Sequence, residues 1–505
     1  MKNYLAYLFL MMPFYQIANA QNKSTSTVVT FEKTFGGKNY DVGNSVQQTS
    51  DGGYIITGGT RSSQTELDDV YLIKTDAHGD IVWEKSFGEK GNDAGWSVQQ
   101  TADGGYIIAG EMSRSRSGKT YVYLIKTNVK GDVLWEKSFG GKDLDAGYSV
   151  QQTNDNGYVI AGETSSFGAG VDDIYVIKTS VKDNDHVTKT YGGKESDVGY
   201  SVQQTADGGF IITGLTSSFG AGGFDVYLVK TDNLGNLQWT KTFGGFDYDA
   251  GLSIKQTPDN GYIITGSTSS FGAGDIDVYL LKLDSIGNLI WDKTFGGSSG
   301  EVGYDVSVTN DGGYIITGYT YSYGIGGTDA DIYLLKTDSV GNLQWAKTYG
   351  DTLEDVGYCV QQTNDSGYII VGRTKSFGAG NTDVYLIKTD ANGNSGCNEF
   401  DVTASTIVGN PSTAIGFGGT VDSGGMAKNT ATIINNTATV VTNACCPLLI
   451  TIDLVNNISC YGDTSGSVNI TISGGTVPYT YSWSNGDTTE DITGLTTGVY
   501  TITIS

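Results

Sequence analysis

A stretch of sixteen residues decides the fold: residues 147–162 read GYSVQQTNDNGYVIAG. Closely similar stretches begin at Gly43, Gly95, Gly199, Gly251, Gly303 and Gly357. An aromatic-glycine step recurs with them, and its successive positions lie 52 residues apart five times and then 54. A fixed period of this length is typical of propellers and solenoids.

Each period contains four short runs of strand-forming residues separated by turn signals. In the second full period we predict strands at residues 97–101, 106–110, 121–127 and 133–139. Glycines at 104, 105 and 131 supply the positive φ angle that tight hairpins need. Four strands are the content of one propeller blade, and no run has the 3.6-residue apolar period of an amphipathic helix.

The strand count also predicts how the ring closes. The last period lacks its fourth strand, because Cys397 stands where a tryptophan is expected, within a segment rich in Gly, Asn and Ser. A spare strand lies at the other end of the array, at residues 28–35, with Phe31 in its tryptophan position. We therefore predict an all-β chain whose residues 28–390 form a seven-bladed β-propeller of four-stranded blades, with this N-terminal strand completing blade seven.

A tryptophan marks the fourth strand of most periods, at Trp83, Trp135, Trp239, Trp291 and Trp345. We predict that these rings pack between adjacent blades, where full burial of one removes about 150–250 Å² from water. The exception is Val187, and we expect the blade that ends there to be the least protected against hydrogen exchange.

Four phrases carry a resemblance to a known family. They are Trp-x-Lys-Thr-Phe-Gly-Gly, Asp-x-Gly-Tyr-Ser-Val, Asp-Gly-Gly-Tyr-Ile-Ile-Thr-Gly and Asp-Val-Tyr-Leu-Ile-Lys-Thr-Asp. Through them, residues 28–390 resemble the secreted bacterial seven-bladed beta-propeller repeat proteins. The resemblance implies the fold and leaves the ligand open.

The segments outside the repeats have their own character. Lys2, the apolar residues 4–14 and the small residues 18–20 are typical of a signal peptide at 1–20, so the mature chain is expected to begin at Gln21. No later apolar run has the length of a membrane span. Residues 391–450 are rich in Thr, Ala and Asn, and we interpret them as a stalk or linker, or as a small β element.

The last segment, residues 451–505, carries a second resemblance. The stretches SCYGD (459–463), GGTVPYTYSWSNG (474–486) and GLTTGVYTITI (494–504) resemble the SprB repeat of Bacteroidetes surface adhesins linked to gliding motility. The resemblance implies an immunoglobulin-like β-sandwich, and alternating strands with a buried Trp fit that fold. The second cysteine common in that family is not reached before Ser505, so we expect a truncated module with Cys460 unpaired within this chain.

Charge and composition narrow the functional classes. The formal net charge is −25, and such a surface repels phosphate backbones, so we expect no nucleic-acid partner. The two histidines, His78 and His186, belong to no recognisable catalytic set.

Carboxylates recur in three loop classes. The first class contains Asp41, Asp93, Asp145, Asp197, Asp249, Glu301 and Asp355; the second Asp51, Asp103, Asp155, Asp207, Asp259, Asp311 and Asp365; the third Asp69, Asp173, Asp225, Asp277, Asp331 and Asp383. A catalytic pair is unique, whereas these repeat, so we interpret them as acceptors of turn and inter-blade hydrogen bonds. Calcium is the alternative, since oxygen-rich loops suit it, but we assign no metal or cofactor.

Two sets of residues are candidates for binding. One stands just before the predicted first strand of each blade: Trp96, Tyr148, Tyr200, Leu252, Tyr304 and Tyr358, with Asn44 in the first. If the first strand lines the axis, these residues gather near one mouth of the channel, where aromatic rings suit sugar or protein contact; simple capping of the blades is the alternative. The other is a basic loop with Arg114, Arg116 and Lys119, which could contact an acidic glycan or be merely solvated.

These patterns together predict an exported protein, secreted or on the outer cell surface, that binds or adheres and is not an enzyme. A monomeric propeller head would contact an extracellular glycan or protein. The alternatives are a polysaccharide-degrading propeller enzyme and a structural spacer.

Overall fold

The computed structural model describes residues 4–9, 28–62, 67–88, 91–114, 119–180, 186–325, 329–411, 414–416, 420–422, 427–429, 433–435, 440–445, 449–456, 466–473, 480–495 and 499–504. These residues form strands and turns, with no helix among them. They belong to two units, residues 29–444 on the one hand and residues 1–28 with 445–505 on the other.

The larger unit contains seven antiparallel blades. Their strands, in order from first to fourth, are Asp41–Gln48, Tyr54–Thr60, Asp69–Thr75 and Ile81–Gly88 in blade 1; Asp93–Gln100, Tyr106–Ser113, Thr120–Thr127 and Val133–Phe139 in blade 2; Asp145–Gln152, Tyr158–Thr164, Asp173–Thr179 and His186–Gly192 in blade 3; Asp197–Gln204, Phe210–Thr216, Asp225–Thr231 and Leu237–Gly244 in blade 4; Asp249–Gln256, Tyr262–Thr268, Asp277–Leu283 and Leu289–Gly296 in blade 5; Glu301–Val308, Tyr314–Thr320, Asp331–Thr337 and Leu343–Tyr349 in blade 6; and Asp355–Gln362, Tyr368–Thr374, Asp383–Thr389 and Phe31–Gly36 in blade 7. The predicted seven-bladed propeller is confirmed.

The closing strand lies where the count placed it. Phe31–Gly36 pairs antiparallel with Asp383–Thr389, so that Phe31 lies opposite Lys388 and Phe35 opposite Val384. The buried carboxylate of Glu32 strengthens this closure, because it accepts hydrogen bonds from the Tyr385 hydroxyl (2.5 Å) and the Asn398 amide (2.9 Å).

The segment interpreted as a stalk or linker, or as a small β element, contains short strands that pair with the propeller. It adds one short strand to the outer edge of every blade, running backwards round the ring from blade 6 to blade 1 and ending on blade 7. These strands are Glu399–Asp401, Ile407–Gly409, Ala414–Gly416, Thr420–Asp422, Ala427–Asn429, Ile433–Asn435 and Val440–Cys445. We call residues 399–445 the belt. The belt gives the outer edges of the blades a backbone partner, which the four-stranded blades leave open.

Cys397, which precedes the first belt strand, is disulfide-bonded. The Tyr333 hydroxyl and the Thr406 hydroxyl are 2.6 Å apart and hold the belt to blade 6. The belt strands also pair with the blades through their backbones, as where Phe295 lies opposite Val408 and Thr348 opposite Phe400.

Seven hydrophobic clusters fill the spaces between the blades. Each combines buried residues from two neighbouring blades, as where Ile55, Val70 and Leu72 of blade 1 pack on Tyr106 and Ile108 of blade 2. Each blade thus buries one face against the blade before it and the other against the blade after it, as in other propellers.

Glutamine side chains join the first strands of neighbouring blades. The N–H of Gln100 donates to Gln47 (2.6 Å), and the N–H of Ser50 donates to Gln100 (2.8 Å). The two bonds recur at most junctions round the ring, but the first is missing where Lys255 and Ser307 replace the accepting glutamine. The second bond is missing at one junction, where Pro258, which has no N–H to donate, meets Val308 in place of the accepting glutamine. Donor and acceptor are lost together there, so neither is left without its partner.

The tryptophans pack between blades as predicted, although they are half-buried rather than fully buried. Four of the indoles, those of Trp83, Trp239, Trp291 and Trp345, lie over the turn glycine of the next blade. A Cβ atom at Gly131 would lie 2.7 Å from the Trp83 ring, and one at Gly287 would lie 2.6 Å from Trp239. These glycines also have positive φ, so both backbone and contact require glycine there.

The smaller unit contains two three-stranded sheets. One consists of Leu449–Asn456, Gly466–Ser473 and Ile492–Leu495, and the other of Tyr4–Phe9, Val499–Ile504 and Tyr481–Trp483. Trp483 is buried, and its indole N–H donates to the carbonyl of Thr489 (2.9 Å). The immunoglobulin-like sandwich and the signal peptide both stay predictions, and Cys460 lies outside the described residues.

Candidate functional site at the channel mouth

The first strand of every blade lines the axial channel. Side chains of the repeated Ser-Val-Gln phrase enclose a cavity of about 260 Å³. Five residues depart from this phrase, namely Ile254, Lys255, Asp305, Ser307 and Cys359. Asp305 accepts a hydrogen bond from the Ser253 hydroxyl (2.6 Å) and one from the N–H of Val360 (3.0 Å). Burial raises the pKa of the Cys359 thiol, so this cysteine is a poor nucleophile.

The residues predicted to stand just before the first strand of each blade lie within that strand instead. Each first strand begins about four residues earlier than predicted and contains a β-bulge, for example between Gly95 and Ser97. The bulged residues are Asn44, Trp96, Tyr148, Tyr200, Leu252, Tyr304 and Tyr358. A bulge re-aims one side chain out of the alternation of the strand, and here it does so in every blade.

The bulged residues contact one another from blade to blade. The ring centroids of Trp96 and Tyr148 are 5.8 Å apart, those of Tyr148 and Tyr200 5.6 Å, and those of Tyr304 and Tyr358 5.1 Å. All of these side chains are half-buried. The structure therefore brings the predicted aromatic residues together, beside the end of the channel at which the first strands begin.

A second set of residues at this mouth was not predicted. It occupies the variable position of the phrase Tyr-Ile-Ile-Thr-Gly-x-Thr, near the end of each second strand: Gly59, Glu111, Glu163, Leu215, Ser267, Tyr319 and Arg373. Tyr319 packs on Tyr304 (5.8 Å), and Leu215 joins a cluster with Tyr200 and Leu252. Variation at one position of an otherwise repeated phrase was the sequence signal for this set. We call the bulged residues and this second set together the mouth.

Glu111 and Glu163 make one sector of the mouth acidic. The Tyr148 hydroxyl donates to Glu163 (2.5 Å). Burial, and then the neighbouring charge of Glu163, raise the pKa of Glu111; burial also raises the pKa of Glu163, against the Tyr148 hydrogen bond. Unlike the carboxylates of the three loop classes, these two are not repeated round the ring.

The one basic residue among the described members of the mouth, Arg373, is paired with a carboxylate. The described part of the predicted basic loop lies elsewhere. Arg373 stacks over Tyr358 (5.8 Å) and forms an ion pair with Glu354, which also binds Lys375 (2.8 Å). Arg114 extends over Tyr121 (5.1 Å) and donates to the hydroxyl of Ser138 (3.0 Å), so it does not join the aromatic ring. Arg116 lies outside the described residues.

The second class of loop carboxylates forms turn bonds, as predicted, together with ion pairs that were not. Asp51 accepts from the Thr49 hydroxyl (2.5 Å) and the N–H of Gly53 (3.1 Å), and its carboxylate lies 3.0 Å from Lys74. The corresponding lysine binds the corresponding aspartate in every blade. His78 is exposed, and His186 packs against Phe139 (5.4 Å), so neither lies at the mouth.

Seven four-stranded blades round an axial channel make residues 29–444 a seven-bladed β-propeller. Residues 454–488 match the family model of the SprB repeat, which confirms the resemblance of the C-terminal segment. A comparison with curated proteins finds no match. The described residues contain no helix long and apolar enough to span a membrane.

Three solved structures are similar to this chain at low sequence identity. A Bacteroides caccae protein of unknown function is 12% identical, with 52% of this chain and 93% of that chain covered and a TM-score of 0.31. Sqt1 from Chaetomium thermophilum is 11% identical (68% and 82% covered, TM-score 0.40). The alpha-L-arabinanase of Penicillium chrysogenum, complexed with arabinobiose, is 10% identical (72% and 99% covered, TM-score 0.39). At these scores none of the three bears on the function of this chain.

Proposed function

We propose that this chain is an exported, non-enzymatic binding protein of the surface or adhesion type, and that its propeller head holds an extracellular glycan against the mouth. The SprB repeat supports the surface assignment. The observation that carries the proposal is the row of half-buried rings Trp96, Tyr148 and Tyr200 beside the carboxylates of Glu111 and Glu163. Aromatic faces stack on sugar rings and carboxylates accept hydrogen bonds from hydroxyls, which is the chemistry a glycan needs.

We also propose that the propeller head is a monomer. Every blade is packed on both faces, and the belt pairs with the outer edges of the blades, so the ring is closed on itself. Sedimentation of the secreted protein should give the mass of one chain.

A glycan array with the full secreted chain tests the binding proposal. Trp96→Ala should reduce binding at least tenfold, the loss of one aromatic contact of about 1.4 kcal/mol or more. Trp135→Ala is the matched control, because it removes an indole near the turn end of the blades, away from the bulges. Binding that is equally strong in Trp96→Ala, or that is confined to a protein partner, contradicts the glycan proposal.

One observation favours a second candidate, a glycoside hydrolase. Glu111 and Glu163 are non-repeating carboxylates on neighbouring blades, and a raised pKa is what a general acid requires. Release of reducing ends from a polysaccharide panel, abolished in Glu111→Gln and Glu163→Gln while binding persists, would establish hydrolysis. If the wild-type chain binds a glycan and leaves it intact, the non-enzymatic function stands.

A further inference from the structure

Two buried carboxylates meet at six of the seven junctions between blades. One belongs to the first residue of a third strand, and the other to the first residue of the next blade. The pairs are Asp69 with Asp93, Asp173 with Asp197, Asp225 with Asp249, Asp277 with Glu301, Asp331 with Asp355, and Asp383 with Asp41. None of these side chains is more than 2% exposed. The junction between blades 2 and 3 differs, because Tyr121 takes the third-strand position.

The junction that closes the ring shows the geometry. A Cβ atom at Gly36 would lie 2.1 Å from Oδ1 of Asp383 and 2.8 Å from Oδ2 of Asp41, so these two oxygens are at most ~5 Å apart. Oδ2 of Asp383 accepts from the N–H of Gly380 (3.0 Å), whereas its Oδ1 is buried and has no hydrogen-bond partner. The unpartnered oxygen is the one that faces the second carboxylate. Oδ1 of Asp331 is likewise buried and unpartnered at its junction.

The other member of the closing pair is already fully hydrogen-bonded. Asp41 accepts from the hydroxyls of Thr60 and Ser62 and from the N–H of Gly37 (the last two at 2.7 Å). These donors stabilise one negative charge at the junction. A second charge a few ångströms away, and out of water, is repelled by the first.

We propose that the two carboxylates of each pair share one proton, which the third-strand aspartate carries and donates towards its neighbour. Atoms and charge then balance: a junction takes up one proton from water and keeps one net negative charge. The proton supplies the hydrogen bond that Oδ1 of Asp383 lacks.

The direction of the pKa shifts agrees with this geometry. Burial, and then the charge of Asp41, raise the pKa of Asp383 to about 6. At the junction between blades 6 and 7, burial and the charges of Asp355, Asp351 and Asp329 raise the pKa of Asp331 to about 8. Among the described residues, the charged groups that raise the pKa values of Asp383 and Asp331 are all carboxylates.

A proton fits the pair better than a metal ion does. Calcium takes six to eight oxygen ligands, whereas the closing pair offers one unpartnered oxygen, Oδ1 of Asp383, because Asp41 and Oδ2 of Asp383 already accept hydrogen bonds from protein donors. Within the described residues, no group of three His, Cys, Asp or Glu side chains is placed to hold a metal.

The shared proton should make the folded chain more stable at low pH than at high pH. A carboxyl with a raised folded-state pKa binds its proton more tightly in the folded chain than in the unfolded chain. Its stabilising effect is therefore complete below the unfolded pKa of about 4 and is lost as the pH rises through the folded value. For Asp383, the folding equilibrium constant changes by at most about a hundredfold across this window.

The test compares Asp383→Asn with the wild-type chain in urea at pH 5 and pH 8. An amide resembles the protonated acid, so the variant should exceed the wild type in stability, by about tenfold in the folding equilibrium constant at pH 5 and by about a hundredfold at pH 8. Asp143→Asn is the control, because it removes an exposed carboxylate beside the junction that lacks a pair, and it should change neither value.

Two results would overturn the shared proton. One is a variant Asp383→Asn that is less stable than the wild type at both pH values. The other is calcium that stabilises the wild type but not the variant, which would place a cation at the junction. Infrared spectra of the folded wild-type chain provide a second readout that needs no variant: a protonated-carboxyl band should persist at pH 5 and fade towards pH 9, and its absence at pH 5 would contradict the proposal.

Discussion

The position of Val187 offers a sharp test of how the blades are held together. Val187 lies opposite Lys178, just as Trp83 lies opposite Lys74, so it occupies the tryptophan position without the tryptophan. At the facing turn glycine, Gly235, the nearest neighbour of a Cβ atom would be Lys189 at 3.2 Å, whereas a Cβ atom at Gly131, Gly287, Gly341 or Gly393 would lie under 3 Å from an indole. A cavity of about 810 Å³ opens here, lined among others by Val187 and Leu234.

Val187→Trp should fill this cavity and stabilise blade 3. An indole half-buried as in the other blades removes roughly 50–100 Å² more apolar surface from water than valine does, worth about 1–2 kcal/mol. Amide hydrogen exchange should then slow about 5- to 30-fold in the strand His186–Gly192. In the wild-type chain, that strand should exchange fastest among the fourth strands.

A matched control separates the cavity from a general effect of tryptophan. Val82→Trp introduces the same ring at a position that is 59% exposed, on the fourth strand of blade 1, and it should leave exchange unchanged. Unchanged exchange in Val187→Trp, or an equal gain in both variants, would refute the view that the indole joins the blades.

Three further predictions concern other parts of the chain. Pro258→Ala combined with Val308→Gln should restore the missing glutamine bond and raise the free energy of unfolding by about 1 kcal/mol beyond the sum of the single variants, as a double-mutant cycle in urea will show. Despite burial, which raises it, the pKa of Asp259 is lowered to about 2 by the Thr257 hydroxyl and the Lys282 ammonium; this ion pair should therefore stabilise the fold above about pH 4 and be lost as the pH falls towards 2, a loss that Lys282→Met should reduce in acid titrations. Mass spectrometry of the secreted protein should find Gln21 at its N-terminus, and an intact Met1 would contradict the signal peptide.

The period of the sequence predicted the blades and their closure because each blade is a local unit. Its strands are neighbours in sequence, and Phe31 could be assigned to blade 7 by its spacing alone. The tryptophan positions followed from the same arithmetic. Their half-burial did not, since exposure depends on how the blades are inclined to one another.

The belt and the mouth were harder to predict for different physical reasons. A belt strand such as Ile407–Gly409 has only three residues, and its partner Leu289–Gly296 lies more than a hundred residues away. A partial signal was present, because β-branched residues occur in belt strands such as Ile407–Gly409, Thr420–Asp422 and Ile433–Asn435. At the mouth, a bulge moved Trp96 and its equivalents into the first strands. Glu111 and Glu163 were not predicted, because variation at one position of a repeat indicates a site only once the fold shows that the varying residues lie close together.

The belt carries an implication for how such a chain can evolve. Repeat proteins change length by duplicating or losing a unit, because each unit contacts only its neighbours. Here a duplicated blade would arrive without an eighth belt strand, and every belt strand beyond the insertion would face the wrong blade. A lost blade would leave one belt strand with nothing to pair with. The number of blades is thus matched by the number of belt strands. Only a change in both at once preserves the pairing round the ring.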